Sequence, residues 1–446
     1  MFYIYAYVNS LDSVTAEKLA MEGLEILLES RVIANYVSTD FNEDVAVQGD
    51  IVKADYPEEM TAQRTPAGSS IAVGDANASH HYVKLNQHVT IAREYTDREK
   101  QRSFRDLVKF FLTPMVRGAA TLGDRIIQGE KYGSYLYTAG QLGVDLDHDA
   151  AVDAGTLMTQ NYVPMEDRNL IVGPLLGAGI RKATSFVPDV SLTDSSIIRT
   201  GVIGSINGFL VSETASFETV ADSTKVSGLL NQAGAAIGET ALTVDNFSAA
   251  ITSGSWAKVD GVPYRIAGTT GGGTPTVITL ANGLRDSIAD NSVIEVFTPS
   301  VVNLAAGYAI NYEGGLEFDG GVTPSVGQGV TFGTAGLPYS VLSVSGTTVT
   351  LNRPLDVAVA DDAAIFLMPG GDYGVGITPS SIQLVNRPLA LPGAGQGVDA
   401  FVANGETWSL RVMRGYDQLA TKETITIDYL MGVANLFPQY NVLYLG

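Results

Sequence analysis

The stretch LNQHVTIAREYTDREKQRSFRDLVKFFLTPMVRGAATLGDRIIQG, residues 85–129, decides how the chain is read. Thr96–Glu99 is a T-x-x-E capping box, in which Thr caps a helix and Glu reaches back to the Thr amide. Beyond it Phe104, Leu107, Val108, Phe111, Leu112, Met115, Ala119, Leu122 and Ile126 form an apolar stripe with helical period. Pro114 removes a backbone donor inside the stripe, so a long helix with a kink is expected.

Upstream, SVTAEKLAMEGLEILLESRVIANYV (13–37) places Ala20, Leu24, Leu27 and Leu28 on one helical face. Ser13 or Thr15 is the candidate N-cap, and Glu22, Glu25 and Glu29 lie on a different face. That acidic face is either solvated or a docking face for a basic partner. Residues 41–92 carry short alternating apolar pieces between Gly, Pro, Ser and Asn clusters, which predicts a long extended hairpin or loop with little core of its own.

Downstream, the glycines Gly201, Gly204 and Gly208 precede Phe209–Val211, and predict a strand approached closely by other backbone. Residues 222–370 hold 5 Lys/Arg against 13 Asp/Glu, in short Val/Thr/Ile-rich strands split by Gly turns, an all-β pattern. This block repeats itself. GVPYRI (261–266) matches GLPYSV (336–341), and TVITLANGLRDSIADNSVIEVF (276–297) matches TVTLNRPLDVAVADDAAIFL (348–367). Two related β-modules follow, packed together or swapped into one barrel. The last segment reads as strand, turn, strand, with a compact end at Tyr444.

The 446 residues include no cysteine, which excludes disulfides and thiolate chemistry. A net charge of −21 argues against a generic nucleic-acid binder. Only 17% of residues are charged, which suggests surfaces covered by something other than water. No membrane span is expected, and MFYIYAYVNS lacks the basic start of a secretory signal, so the chain is expected in the cytoplasm when made.

Phosphate-loop, dinucleotide and nucleophile-elbow motifs are absent from the sequence. His80 and His81 are neighbours in a Gly/Ala/Ser loop, apart from His88 and His148, without metal-site spacing. Asp145, Asp147 and Asp149 have the alternation of a calcium loop, but Ala150 and Thr156 stand where its Gly and Glu belong. No enzyme, cofactor or metal is expected.

The order of these pieces resembles the major capsid (coat) proteins of tailed phages, with the α+β Hong Kong 97-type fold, closest to the short-tailed-phage branch with an inserted β domain. The stretches that carry the resemblance are EGLEILLESRVIANYVSTDF, QGDIVKADYPEE, the 85–115 segment, GVIGSINGFLV, IQLVNRPLALP, WSLRVMRGYD and ITIDYLMGV. They fall within 13–130, 201–212 and 380–446. The resemblance implies an N-terminal arm (1–45), an extension loop (46–92) and the spine helix of a peripheral domain (93–135). The first part of an axial domain (136–221), the β insertion domain (222–370) and a return to the axial and peripheral domains (371–446) follow.

It also implies an icosahedral shell of hexamers and pentamers around double-stranded DNA, assembled in the host cytoplasm with scaffolding and portal proteins. A decoration protein could sit on the insertion. Glu22, Glu25 and Glu29 are the scaffold-docking candidates. Arg98, Lys100, Arg102, Arg105 and Lys109 are the intersubunit ion-pair candidates, or a solvated face. Two alternatives are a bacterial encapsulin-like compartment shell and a β-repeat adhesin or glycan-binding protein using Trp256.

Overall fold

A computed structural model describes residues 16–39, 51–57, 64, 78–102, 107–185, 204–271, 276–304, 307–319, 322–333, 336–393, 398–405 and 408–446. The chain opens with helix α1 (Ala16–Ser30), strands β1 (Ile51–Pro57), β2 (Ala78–Lys84) and β3 (Gln87–Thr96), then helices α2 (Asp97–Arg102) and α3 (Leu107–Gly129). Strand β4 (Thr138–Gly140), helix α4 (His148–Gln160), β5 (Arg168–Val172), α5 (Pro174–Ser185), β6 (Ser205–Ile206) and β7 (Phe209–Glu213) follow. One β-module comprises β8 (Lys225–Leu230), β9 (Ala241–Asp245), β10 (Trp256–Val259), β11 (Val262–Thr270), β12 (Val277–Leu280) and β13 (Val293–Phe297). The next comprises β14 (Ser300–Val301), β15 (Leu316–Glu317), β16 (Gly329–Phe332), β17 (Tyr339–Ser345), β18 (Thr348–Leu351) and β19 (Ala364–Leu367). The chain closes with β20 (Tyr373–Ile377), β21 (Ile382–Arg387), β22 (Val398–Asn404), β23 (Ser409–Asp417), β24 (Lys422–Asn435) and β25 (Val442–Leu445).

Two compact units form. The first takes residues 1–30, 39–120 and 383–436; the second takes 31–38, 121–382 and 437–446. The first unit is built on the antiparallel order β3-β24-β23-β22, with β21 also pairing β24. α1 buries Ala20, Leu24 and Leu27 against β22 and β23, as its spacing predicts, and Leu19 with them, while the expected Leu28 is only half-buried. Gly23 admits the Leu410 side chain, which a Cβ there would meet at 3.1 Å. Each buried leucine contributes about 1.5–3 kcal/mol relative to exposure. α3 continues through Pro114, and Tyr429 donates its hydroxyl to the Ala119 carbonyl at 2.7 Å.

The second unit centres on a mixed sheet, β4-β25-β20-β5-β7-β6, packed by α4 and α5. All five residues of β5 are buried, as a strand covered on both faces requires. The glycines before β7 serve a different purpose from the close approach expected of them. Asn207 and Gly208 take positive φ (46° and 83°) in the β6–β7 turn, while a Cβ on Gly204 would meet nothing within 4 Å and one on Gly208 only Met165 O at 3.9 Å. Gly201 lies outside the described residues.

The repeat is real in three dimensions, and its halves are two separate modules rather than one swapped barrel. The first closes in the order β10-β11-β12-β9-β8-β13; the second runs β14-β19-β16-β17-β18-β15, the equivalent strand order, with a Val302–Phe318 bridge joining its ends. Ile266 faces Leu280 with a register shift before Gly268, and Val341 faces Leu351 with the same shift before Ser343. These are the residues that the sequence match aligns. The Tyr264 hydroxyl accepts the Arg285 N–H at 2.8 Å, and the Tyr339 hydroxyl accepts the Asp356 N–H at 2.8 Å. Each tyrosine thereby bolts its hairpin to the following turn. Trp256 is completely buried and donates to Thr331 Oγ1 at 3.2 Å, while Arg265 donates to the carbonyls of Gly333 (2.6 Å) and Gly336 (3.0 Å), which joins the modules.

Tyr264→Phe and Tyr339→Phe should each destabilise the chain by about 1–2 kcal/mol, because a backbone donor loses its acceptor. The two losses should add in the double variant, since the hydroxyls serve separate modules. Urea unfolding followed by tryptophan fluorescence checks this; a loss confined to one variant would mean the bolts are not equivalent.

Candidate assembly surfaces

Glu22, Glu25 and Glu29 are exposed on α1, on the side away from its buried leucines. The expected caps Ser13 and Thr15 lie outside the described residues, and the α1 start is instead held by Asp399 of β22, whose carboxylate accepts the Ala16 N–H at 3.0 Å. This cap, 383 residues away in sequence, leaves no local signal.

The ribbon of β1 and β2 pairs Ile51 with Lys84 through Pro57 with Ala78. Among the described residues it pairs with no third strand, although seven residues extend about 23 Å. His80 and His81 sit on strand β2 opposite Asp55 and Ala54, rather than in a loop as expected, because strand pairing extends through them. His88 is elsewhere, with Nε2 3.2 Å from Asp428 Oδ2, and His148 begins α4.

The capping box forms as spelled. Glu99 Oε2 accepts the Thr96 N–H at 2.9 Å and Thr96 Oγ1 accepts the Glu99 N–H at 3.4 Å. It caps the short α2, however, while the described long helix begins at Leu107. Around it Lys422 Nζ reaches Glu94 Oε1 at 2.6 Å and the Tyr416 hydroxyl donates to Asp97 Oδ2 at 2.6 Å. Glu94 and Asp97, the carboxylates beside the basic candidates, are therefore engaged within this chain. Arg98 is exposed on α2; Lys100 and Arg102 are on the same helix and Lys109 on α3, with side chains outside the described set, as is all of Arg105.

In the second unit the aspartates of the imperfect calcium loop have structural work. Asp147 Oδ1 accepts the Ala150 N–H at 3.0 Å as the α4 N-cap, and Asp145 pairs Lys182 at 2.9 Å. The other end of α4 is closed by Arg168, whose guanidinium donates to the carbonyls of Gly155 (3.1 Å), Val163 (2.6 Å) and Pro164 (2.8 Å). The guanidinium thus ties the loop carbonyls of Val163 and Pro164 back to the last turns of α4, whose terminal carbonyls take the Asn161, Tyr162 and Val163 N–H groups. Beside it Tyr162 (86% exposed), Met165 (67%) and Leu210 (49%) give this domain an apolar outer surface.

The end of α3 concentrates buried charge that sequence reasoning missed. Asp124, 3% exposed, accepts the Val32 N–H at 2.9 Å, with Ile33 and Ala34 N–H also directed at it, and so caps the short 3₁₀ turn Ile33–Asn35. Burial raises its carboxyl from 3.8 to about 6, against the pull of those donors and of Arg31. Glu130 is held by Arg353 Nη1 at 3.3 Å and Asn352 Nδ2 at 3.1 Å, and burial pushes its carboxyl upward against the Arg353 charge. No helix among the described residues is long and apolar enough to cross a membrane, and none of their His, Asp and Glu side chains gather in threes as a metal site.

No family model matches the chain, and no curated protein does. Solved structures do. A chain from Mycobacterium phage Che8 is 12% identical over 93% of this chain and 90% of its own, with a TM-score of 0.45. One from the bacteriophage PhiM1 mature capsid is 11% identical over 90% and 84%, with a TM-score of 0.42. One from a Pyrococcus furiosus virus-like particle is 8% identical over 96% and 98%, with a TM-score of 0.37.

Asp124 gives a pH prediction. Its folded-state pKa lies above the unfolded one, so its stabilising contribution is fully present below about pH 4 and lost as pH rises through about 6. Asp124→Asn should remove that slope, so wild type should lose about 2–3 kcal/mol relative to the variant between pH 4 and 7. Parallel stability profiles for the two proteins would show that the carboxyl is not held as described.

Proposed function

We propose that this chain is the major capsid protein of a tailed phage, assembling with its own copies into the icosahedral shell that encloses the genome. The observation that carries the reading is the β1–β2 ribbon, which is long, two-stranded and without a third strand among the described residues. Its base packs on β24, but a two-stranded ribbon is marginal in water by itself, so its far end belongs over a neighbouring subunit. The sequence resemblance supports the same reading independently, because its segments recur in the order of arm, extension loop, spine helix and return strands.

Composition agrees with a container. A net charge of −21 keeps packaged double-stranded DNA from adhering to the wall, and a charged fraction of 17% suits a subunit with much of its surface in interfaces. The role is structural rather than catalytic. The shell is built of hexamers and pentamers in the host cytoplasm with scaffolding and portal proteins, and the two β-modules form its inserted domain, open to a decoration protein. Glu22, Glu25 and Glu29 are assigned to scaffold docking, and Arg98 with its basic neighbours to ion pairs between subunits. The glycan-binding alternative loses its aromatic platform, since Trp256 is buried between the modules.

Negative-stain electron microscopy of the expressed protein, with and without neighbouring gene products, tests the reading. Closed polyhedral particles are expected, and a dispersed monomer in every condition would overturn it. Replacing residues 58–77 by a short turn should leave a folded subunit whose shells fall apart, because that segment serves neighbours. Reversing Glu22, Glu25 and Glu29 together to Lys should keep the fold and abolish scaffold-directed assembly; normal particles would remove the docking assignment.

A further inference from the structure

The chain passes from the central sheet into the β-block and back through two adjacent segments, β7 to β8 and β19 to β20, which form a neck beside the other contacts that seat the block, among them Leu142 N–H to the Gly261 carbonyl and Glu130 to Arg353. Val220 and Gly371 exchange backbone hydrogen bonds of 3.1 and 2.8 Å across it. Asp222 Oδ1 accepts the Gly370 N–H at 2.9 Å, and Asp372 Oδ1 accepts the Thr219 hydroxyl at 2.6 Å. The approach is tight enough that a Cβ on Gly370 would sit 2.3 Å from the Asp222 nitrogen.

Lys131 lies against this neck and is 1% exposed. Its Nζ is 4.5 Å from the ring centre of Phe217 on the outgoing strand, 5.9 Å from Tyr373 on the returning one and 5.0 Å from Tyr132. It donates to the Tyr373 carbonyl at 3.4 Å; with the Gln128 amide oriented with its oxygen toward the amine, Gln128 accepts from Lys131 at 3.0 Å and donates to the Ser216 carbonyl at 2.9 Å. One lysine thus touches both strands of the neck through aromatic faces and neutral oxygens.

We infer that Lys131 makes the neck a pH-sensitive hinge, whose closed form is weakened by the charged ammonium and tightened when the amine is neutral. The charged groups facing it are otherwise engaged. Glu218, on the outgoing strand, is paired with Arg125 of α3; Asp372, on the returning strand, holds Thr219; Asp222 pairs with Lys225; and Glu130, next in sequence, is turned to Arg353. Among the described residues no carboxylate lies within ion-pair distance of the ammonium. Cation–π attraction offsets only part of the desolvation of a buried charge.

Burial accordingly lowers the amine from 10.5 to about 7, against the attraction of Asp372 and Glu218. An open neck returns it to water and to its ordinary range. Between about pH 7 and 10 the open form therefore binds more protons, so closing strengthens as pH rises and is constant below 7. This holds whatever the chain assembles into.

Hydrogen exchange of the Val220 and Gly371 amides, corrected for intrinsic rates, tests it on the full chain. Wild-type protection should rise by up to tenfold per pH unit between pH 7.5 and 9.5. Amides of β13 should stay level. Lys131→Met, which fits an aromatic cage without charge, should show at pH 7 the protection that wild type reaches at pH 9.5, with no slope. A flat wild-type profile, or β13 amides that move in parallel, overturns the hinge whether or not the variant folds, and so does a variant that keeps the wild-type slope.

Discussion

The second unit depends on a desolvated 3₁₀ turn, Glu130–Ser134, whose consecutive side chains each hold a different part of the molecule. Glu130 takes Arg353 and Asn352 of the second β-module. Lys131 takes both strands of the neck, and the Tyr132 hydroxyl donates to the Gly327 carbonyl at 2.6 Å. Just beyond, Tyr135 meets Trp256 of the first module edge-to-face at 5.2 Å. Burying so many polar groups in five residues is tolerable only because each finds a partner; removing one partner would leave a costly orphan. The turn therefore fixes where the modules attach more strictly than an apolar contact could.

The duplicated modules show how a repeat diverges under that constraint. Their hairpin bolts, register shifts and positive-φ residues Asn291 and Asp362 match position for position. Yet by strand register Trp256 corresponds to Gly329, because Ala257 faces Tyr264 where Val330 faces Tyr339. A Cβ at Gly329 would lie 2.4 Å from the Met368 sulfur and 3.2 Å from the Tyr132 ring, so the second module must be small where the first is large. The interior of each module obeys the shared sequence pattern, and the surface that meets the turn obeys its surroundings.

The first unit shows the complementary economy. α1 places its apolar face on the sheet and keeps Glu22, Glu25 and Glu29 outward, and among the described residues β1 and β2 pair only with each other, with β2 lying against β24.

What the sequence determined by itself is what short range or period governs: the α1 face at Ala20, Leu24 and Leu27, the α3 face at Leu112, Met115, Ala119 and Ile126 (with Phe111 exposed and Phe104 outside the described residues), the Thr96–Glu99 box, the β character of 222–370 and the repeat down to its aligned Ile266/Val341 and Leu280/Leu351. These depend on residues a few positions apart or on a pattern that two stretches share, so they survive in one dimension. Tertiary structure alone decided that Asp399 caps α1, that Arg353 meets Glu130 across 223 positions and that Lys131 reaches Tyr373 across 242. It also decided that the two repeats stay separate modules, that His80 and His81 lie on a strand, and that the glycines before β7 serve a turn. Each of these is a choice of partner for a polar group or a backbone edge, and partner choice is made by whichever group the folded chain brings within hydrogen-bond reach.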